Sequence, residues 1–196
     1  MTLAYPDDLP QQSKSPLWPL NAFYTSNGRR IPEITPLTAR AIPQPYHNLL
    51  VHDRNMTSTL EAFHAGPVYI DPLNMVQDEQ ETSREVILRR QSDDRAVEYG
   101  ASWVFHRHLP AEASKLIREA KLPLGTVLKL CDCLHSVEAL RYFKMRPAAF
   151  FSDIFGVSVS SDLFGRRHRL VAANGHAIAA VFEILPPLSE EASGKD

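Results

Sequence analysis

Glu183 is the residue whose surroundings in the sequence most suggest chemistry. It is the one ionisable side chain in the run 177–186, AIAAVFEILP. A carboxylate in such an apolar run is costly to bury unless it gains a partner, a raised pKa or contact with water. The run therefore predicts either a functional carboxylate or an outward-facing residue on an edge strand.

A basic partner for Glu183 follows from a predicted hairpin. The dipeptide Asn174-Gly175 lies between two strand-like runs, and it is a strong signal for a two-residue turn because both positions tolerate positive φ. Carried along the strands, this register places Arg166 opposite Glu183. A one-residue bulge would bring Arg167 opposite the carboxylate instead, so either arginine could hold it ionised.

Arg84 is the second candidate, because it would share one face of a strand with Val86 and Leu88. An arginine on an otherwise apolar face usually meets a carboxylate of the protein or of a ligand, which its guanidinium can contact through two parallel hydrogen bonds. The alternative is a strand-end arginine whose head reaches water. The pattern therefore predicts an anion-binding residue or a partly solvated one.

Metal and redox chemistry have weaker signals. His106 and His108 would share one face of a strand and could contribute to a metal site. The sequence has no third spaced histidine or carboxylate motif beside them, so we expect no metal and no cofactor. Cys131 and Cys133 are too close together for an unstrained disulfide, which favours reduced thiols in a cytoplasmic protein.

Length and charge limit the classes of protein to which the chain can belong. Its 196 residues suit one domain, and a net charge of −2 offers no basic field for nucleic acid. No apolar stretch approaches the roughly 20 residues that span a bilayer, and residues 1–20 contain no apolar core of a signal peptide. We therefore expect a cytoplasmic protein that binds a small molecule and neither nucleic acid nor membrane. The sequence leaves its oligomeric state open.

Three regions are expected along the chain. Residues 1–45 are rich in proline, which favours an extended N-terminal arm over regular helix. Residues 46–188 alternate helix and strand signals, and their hairpins favour an α+β domain with an antiparallel sheet. Residues 189–196 are small and polar and predict a frayed tail. All the candidate site residues fall in the middle region.

Four stretches of that region together resemble the chorismate–pyruvate lyase family and its broader relatives from secondary metabolism. They are, in chain order, 49–57 (LLVHDRNMT), 84–88 (REVIL), 123–125 (PLG) and a terminal hairpin from 164–170 (FGRRHRL) to 182–186 (FEILP). The resemblance covers residues 47–187 and rests on the order of these stretches. It implies a six-stranded antiparallel sheet with helices packed on one face and an enclosed ligand pocket between them.

The resemblance also implies an activity. It predicts a carbon–oxygen lyase that eliminates pyruvate from chorismate to leave 4-hydroxybenzoate, with aromatisation as the driving force and no cofactor. The family's product-binding positions carry over to Met56, Arg84, Leu124 and Glu183.

Each of these positions has an expected role. Arg84 would bind a substrate carboxylate, and Glu183 would act near the hydroxyl or ether as the second catalytic group. Met56 and Leu124 would form apolar walls. Arg166 and Arg167 would tune Glu183 or bind the second carboxylate.

The segment 147–162 departs from the family as an insertion before the terminal hairpin. It contains Phe150, Phe151, Ile154 and Phe155, which are too apolar to remain in water as a bare loop. We therefore expect it to cover the ligand cavity or to pack against the arm.

Two other functions stay open at this point. A diverged enzyme of the same fold could act on isochorismate or another small pathway acid. A non-catalytic module could bind a small metabolite, as effector domains of some bacterial transcription regulators do with this fold. Those domains normally follow a winged helix, which residues 1–45 are not expected to form. The sequence therefore favours the lyase.

Overall fold

The structure, a computed structural model, describes residues 15–156 and 161–188. The predicted tail, residues 189–196, and residues 157–160 of the predicted insertion lie outside the described residues. The strands are β1 (Ile34–Leu37), β2 (Val68–Gln77), β3 (Glu81–Arg90), β4 (Ala96–Phe105), β5 (His135–Met145), β6 (Leu163–Ala172) and β7 (Ala177–Leu185). The α-helices are α1 (Leu20–Ser26), α2 (Tyr46–Leu50), α3 (Met56–Phe63), α4 (Ala111–Glu119), α5 (Leu124–Leu130) and α6 (Ala149–Phe155).

The strands form one sheet in the order β1-β5-β6-β7-β4-β3-β2, and every neighbouring pair is antiparallel. The predicted α+β class with an antiparallel sheet is confirmed. The sheet has seven strands rather than six, because Ile34–Leu37 of the proline-rich arm pairs with the end of β5. Pro36 is tolerated there because β1 is an edge strand, where a missing backbone N–H leaves no ladder bond unmade.

Helices cover both faces of the sheet, whereas the resemblance implied one. On the face that carries Arg84, Ser102 and Val181, which we call the cavity face, α2 and α3 pack beside β2, β3 and β4. Helices α4 and α5 pack on the same face beside β6 and β7. The opposite face carries Tyr99 and Phe182 and is covered by α1 and α6. The two faces follow from the alternation of side chains along each strand.

Helix α1 forms within the proline-rich arm because residues 20–26 contain no proline. Pro19 occupies the N-cap position, where its missing N–H breaks no helical bond. Leu20, Phe23 and Tyr24 then follow at helical spacing and are buried against the sheet. Trp18 is fully buried and packs on aromatic rings of β4. The described part of the arm is therefore held on the sheet.

Part of the predicted insertion forms α6, which lies on the face away from the cavity. Phe151 is fully buried there, with its ring beside those of Tyr24 and Tyr99. Phe150 contacts the same two tyrosines edge-on. The described part of the segment thus packs against the arm, one of its two expected placements, and does not cover the cavity.

In the terminal hairpin the Ala172 amide donates to the carbonyl oxygen of His176 at 2.9 Å. The loop between this pair therefore has three residues, 173–175, rather than the predicted two. The Gly175 amide donates to the carbonyl oxygen of Ala172 at 2.9 Å, and Gly175 has a positive φ of 84°. This longer loop offsets the strands by one residue, and a register shift after Leu170 offsets them back. Arg166 therefore lies opposite Glu183, as predicted, because two irregularities cancel.

Candidate functional site

A cavity of about 90 Å³ lies between the cavity face of the sheet and the first turns of α3 and α5. Its floor is formed by β3, β4, β6 and β7, and its walls mix apolar side chains with a few buried polar groups. Five of the six predicted site residues line it: Met56, Arg84, Leu124, Arg166 and Glu183. A mostly apolar cavity with few convergent polar groups is typical of a small-molecule site.

Arg167 is the predicted site residue that the structure places elsewhere. It lies opposite Phe182, on the sheet face away from the cavity, and its Nε donates to the carbonyl oxygen of Trp18 at 2.7 Å. The expectation that Arg167 contributes to the site was wrong, because adjacent residues of a strand point to opposite faces. Arg167 instead fixes the arm on the sheet.

The first turns of α3 and α5 meet at the cavity wall. Asn55 caps α3 by accepting a hydrogen bond from the Thr57 amide at 2.9 Å. Its side chain lies so close to α5 that a Cβ at position 125 would stand 2.2 Å from it. Gly125 is therefore required for this approach. The contact sets Met56 and Leu124, the first residues of the two helices, beside the cavity.

Arg84 is a buried cation that has no carboxylate partner within the described part of the chain. Its side chain is 2% exposed, and its Nη1 donates to the carbonyl oxygen of Leu122 at 3.2 Å. Its Nε has no hydrogen-bond partner among the described residues. Burial lowers the pKa of Arg84 to about 10, so the guanidinium remains charged at neutral pH. A charge buried in this way is costly until an anion pairs with it.

Glu183, by contrast, already has its partner. The Nε of Arg166 donates to Oε2 of Glu183 at 2.5 Å, and both side chains are buried. Burial is the largest single influence and raises the pKa of Glu183, but the charge and hydrogen bond of Arg166, together with His168 and His52, outweigh it and the net shift is downward. Glu183 is therefore ionised at neutral pH, which does not suit a general acid.

Arg166 also anchors the loop between α2 and α3. Its Nη1 donates to the carbonyl oxygens of Leu50 and His52, at 3.2 and 2.9 Å. Its Nη2 lies 3.5 Å from the carbonyl oxygen of Arg54. With its Nε on Glu183, all three nitrogens of the guanidinium contact the protein. Arg166 thus positions one wall of the cavity.

Two cavity residues were missed from the sequence. Glu98 lies on the floor next to Glu183, and its Oε2 is buried with no partner among the described residues. Burial, reinforced by the negative charge of Glu183, raises the pKa of Glu98 well above its ordinary value. A signal was present: Glu98 is the one charged residue in the run 96–105, AVEYGASWVF.

His168 is the second missed residue. It follows Arg166 on the same face of β6, and its Nδ1 is buried with no hydrogen-bond partner in the described chain. That atom lies 3.8 Å from Oε2 of Glu183. Burial lowers the pKa of His168 to about 4, so the ring is neutral at neutral pH. Its place two residues after Arg166 could have been read from the strand alternation.

The other candidate groups lie apart from the cavity. The Nε2 of His106 lies 2.8 Å from Oγ1 of Thr82, whereas the ring of His108 stacks on that of His176 with centroids 4.5 Å apart. Within residues 15–156 and 161–188, no group of three or more metal-binding side chains is present. Both cysteines are free thiols. None of the described helices is long and apolar enough to cross a membrane.

The comparisons with known proteins give a fold but no family. No family model matches the sequence, and no curated protein matches it. The effector domain of PhnF from Mycobacterium smegmatis is similar in structure, with a TM-score of 0.53 and 12% identity over 67% of this chain and 88% of that domain. The structure of PhnF from the same organism matches with a TM-score of 0.52 and 12% identity over 85% of this chain and 93% of that chain.

These findings correct the identification made from the sequence. The similar structures are described as the effector domain of PhnF and as PhnF itself, and neither is described as a lyase. The assignment to the chorismate–pyruvate lyases was therefore wrong. The predicted lyase reaction, the enzyme class and the place in aromatic biosynthesis or secondary metabolism depended on that assignment and were wrong as well. The expectation of no nucleic-acid partner is withdrawn for the same reason.

Proposed function

We propose that this chain is a non-catalytic module that binds a small metabolite carrying a carboxylate or a phosphate. The observation that carries the proposal is Arg84, a buried and charged guanidinium in the floor of a cavity, with no carboxylate partner among the described residues. An anionic ligand would supply the missing partner, and the planar guanidinium matches either anion.

A binding role also agrees with the state of Glu183. The carboxylate is engaged by Arg166, which in turn holds the α2–α3 loop. The pair therefore shapes the cavity and is not free to exchange protons with a substrate. The fold shared with an effector domain supports the same role. We keep the cytoplasm as the proposed location, because two free thiols are typical of a reducing compartment.

The proposal is tested by titrating the protein with small carboxylates and phosphate monoesters. A ligand that binds only the folded state raises the melting temperature, and calorimetry gives its affinity. Arg84→Gln should weaken binding by about 2–5 kcal/mol, since it leaves the ligand's charge buried and unpaired.

Arg90→Gln is the matched control. Arg90 lies on the same strand, is partly exposed and pairs with Asp93 outside the cavity. Its substitution should leave the affinity unchanged. Equal binding by wild-type protein and Arg84→Gln, or no binding of any anion, would refute the proposal.

A further inference from the structure

Two opposite ends can be distinguished in the cavity. The donor end is Arg84, whose Nε lacks an acceptor in the described chain. The acceptor end is centred on Glu183, with Glu98 on one side of it along the sheet and His168 on the other, and all three line the same cavity. At this end Oε2 of Glu98 and Nδ1 of His168 are buried without partners among the described residues. Unmatched donors and acceptors at separate places suggest a ligand that carries both kinds of group.

The two ends are too far apart to satisfy each other. Arg84 pairs across the strands with Ser102, and Glu98 lies four residues further along β4. At about 3.4 Å per residue, the backbone of Glu98 is roughly 14 Å from that of Ser102, which lies beside Arg84. Gly100 lies between them on the same face and contributes no side chain. The long side chains bridge part of this distance, which leaves a gap for a molecule a few atoms long.

Arg166 is the cation that contacts the acceptor end, but its guanidinium already donates to Glu183 and to the backbone of the α2–α3 loop. An ammonium group has three N–H donors and one positive charge. It would match the carboxylates of Glu98 and Glu183 and an Nδ1 of His168 that carries no proton, and it would offset the negative charge that the two carboxylates can carry together.

We infer that the ligand is zwitterionic, with its anionic group on Arg84 and a protonated amine held by Glu98, His168 and Glu183. The inference rests on the proposed anion-binding function and adds the class of ligand. It selects small amino acids or aminoalkyl phosphates over simple acids of the same length.

Binding of such a ligand should release a proton. In the empty cavity burial keeps Glu98 protonated, because it raises the pKa of that carboxyl. An ammonium beside Glu98 favours the ionised form and so lowers this pKa. The other charged or titratable residues that line the cavity are Arg84 on β3, His135 on β5, Arg166 and His168 on β6, Glu183 on β7, and Asp53 and Arg54 on the wall. His168 stays neutral at pH 6, two pH units above its pKa of about 4.

The test uses two matched series of probes. The first pairs glycine, β-alanine, 4-aminobutyrate and 5-aminopentanoate with acetate, propionate, butyrate and pentanoate, and the second pairs O-phosphoethanolamine with ethyl phosphate. Affinities are measured by calorimetry at pH 6 in two buffers of different ionisation enthalpy. We expect one amine-bearing probe to bind about ten- to a hundred-fold tighter than the matched probe that lacks the amine, and we expect its binding to release a proton. If an amino acid binds more tightly than O-phosphoethanolamine, the anionic group of the ligand is a carboxylate. If it binds less tightly, the anionic group is a phosphate.

Glu98→Gln should abolish both the preference and the proton release, whereas Arg84→Gln should weaken both members of a pair. Glu138→Gln is the matched control, because Glu138 is a half-exposed carboxylate of β5 outside the cavity. Equal affinity within each pair would overturn the zwitterion and leave the anion-binding function standing. If the hydroxy acids glycolate or 3-hydroxypropionate bind more tightly than glycine or β-alanine, without proton release, the zwitterion is overturned in the same way. Absence of binding by every probe would refute both proposals.

Discussion

Arg84 costs the empty protein stability, because its guanidinium is desolvated without an anion. Replacing it with methionine, which is apolar and of similar length, removes this cost. We predict that Arg84→Met raises the free energy of unfolding by about 1–4 kcal/mol, the range found when buried ionic groups give way to packed apolar residues. Urea denaturation measures the change.

The same substitution should abolish anion binding, so stability and function would change in opposite directions. Arg90→Met, in a partly exposed pair with Asp93, should change stability by less than about 1 kcal/mol. A large loss of stability in Arg84→Met would mean that Arg84 is a structural residue and not a binding group.

The pKa of His168 is lowered and that of Glu98 is raised in the folded protein. We therefore predict that the two residues make opposite contributions to the dependence of stability on pH. His168 has a pKa of about 4 in the folded protein against 6.5 when unfolded, so the unfolded state binds more protons between these values. Its contribution to stability is present above pH 6.5 and falls by about 3 kcal/mol as the pH drops to 4. Glu98 has a raised folded pKa, so its contribution is present below pH 4.5 and is lost as the pH rises above that value.

Two variants separate these contributions. The stability difference between wild type and His168→Gln should grow in favour of wild type from pH 4 to 6.5. The difference between wild type and Glu98→Gln should move in favour of the variant as the pH rises above 4.5. Urea unfolding at intervals between pH 4 and 8 measures both. Parallel pH profiles for the three proteins would contradict the buried, shifted states of these groups.

At the scale of elements, the Arg166–Glu183 pair connects the terminal hairpin to the α2–α3 loop. We predict that Arg166→Met lowers the free energy of unfolding by about 3–5 kcal/mol, because it leaves Glu183 charged and unpaired in the core. Hydrogen exchange of residues 51–56 should also become faster, since the loop carbonyls lose their donor.

The double variant Arg166→Met/Glu183→Leu should recover part of the lost stability, as it removes the unpaired charge as well. Arg169→Met is the control, since Arg169 pairs on β6 with a half-exposed Glu138. If the double variant is as unstable as Arg166→Met, the loss comes from packing and not from the buried charge.

At the scale of the molecule, the proline-rich arm supports the sheet on the face away from the cavity. We predict that Trp18→Ala lowers the free energy of unfolding by about 3–5 kcal/mol, because the side chain is fully buried against Trp103 and Phe105. Ligand affinity of the folded variant should be unchanged, since Trp18 does not line the cavity.

Leu134→Ala provides the comparison for that variant. Leu134 is 82% exposed, so its substitution should change stability by no more than about 0.5 kcal/mol. A Trp18→Ala protein as stable as wild type would show that the arm is dispensable for the fold.

Several features of the fold and the site were predictable from local patterns. Alternation with a period of two predicted the strands and the shared face of Arg166 and Glu183, and the Asn174-Gly175 dipeptide predicted the hairpin. An arginine on an apolar strand face predicted either an anion-binding or a partly solvated Arg84, and the structure buries it at the cavity. These signals are local because they depend on strand geometry and on the conformational freedom of turn residues.

The function did not follow from the same patterns. The resemblance rested on short motifs that mark the fold, and one fold serves unrelated functions. Which chemistry a site performs depends on whether its charged groups are engaged, and that is set by contacts between distant parts of the chain. The strand register sets Arg166 opposite Glu183, but its guanidinium is also engaged by carbonyl oxygens of residues 50–54, more than a hundred positions away.

The sequence by itself determined the α+β class, the antiparallel hairpins and the residues that face one another across them, because each depends on neighbours along one or two strands. Only the tertiary structure decided that the Arg166–Glu183 pair is buried, that Arg84 and Glu98 have no ion-pair partner among the described residues, and that Arg167 contacts the arm. Burial and pairing depend on which elements pack on each face of the sheet. They are set when α3 and α5 close one face and α1 and α6 close the other.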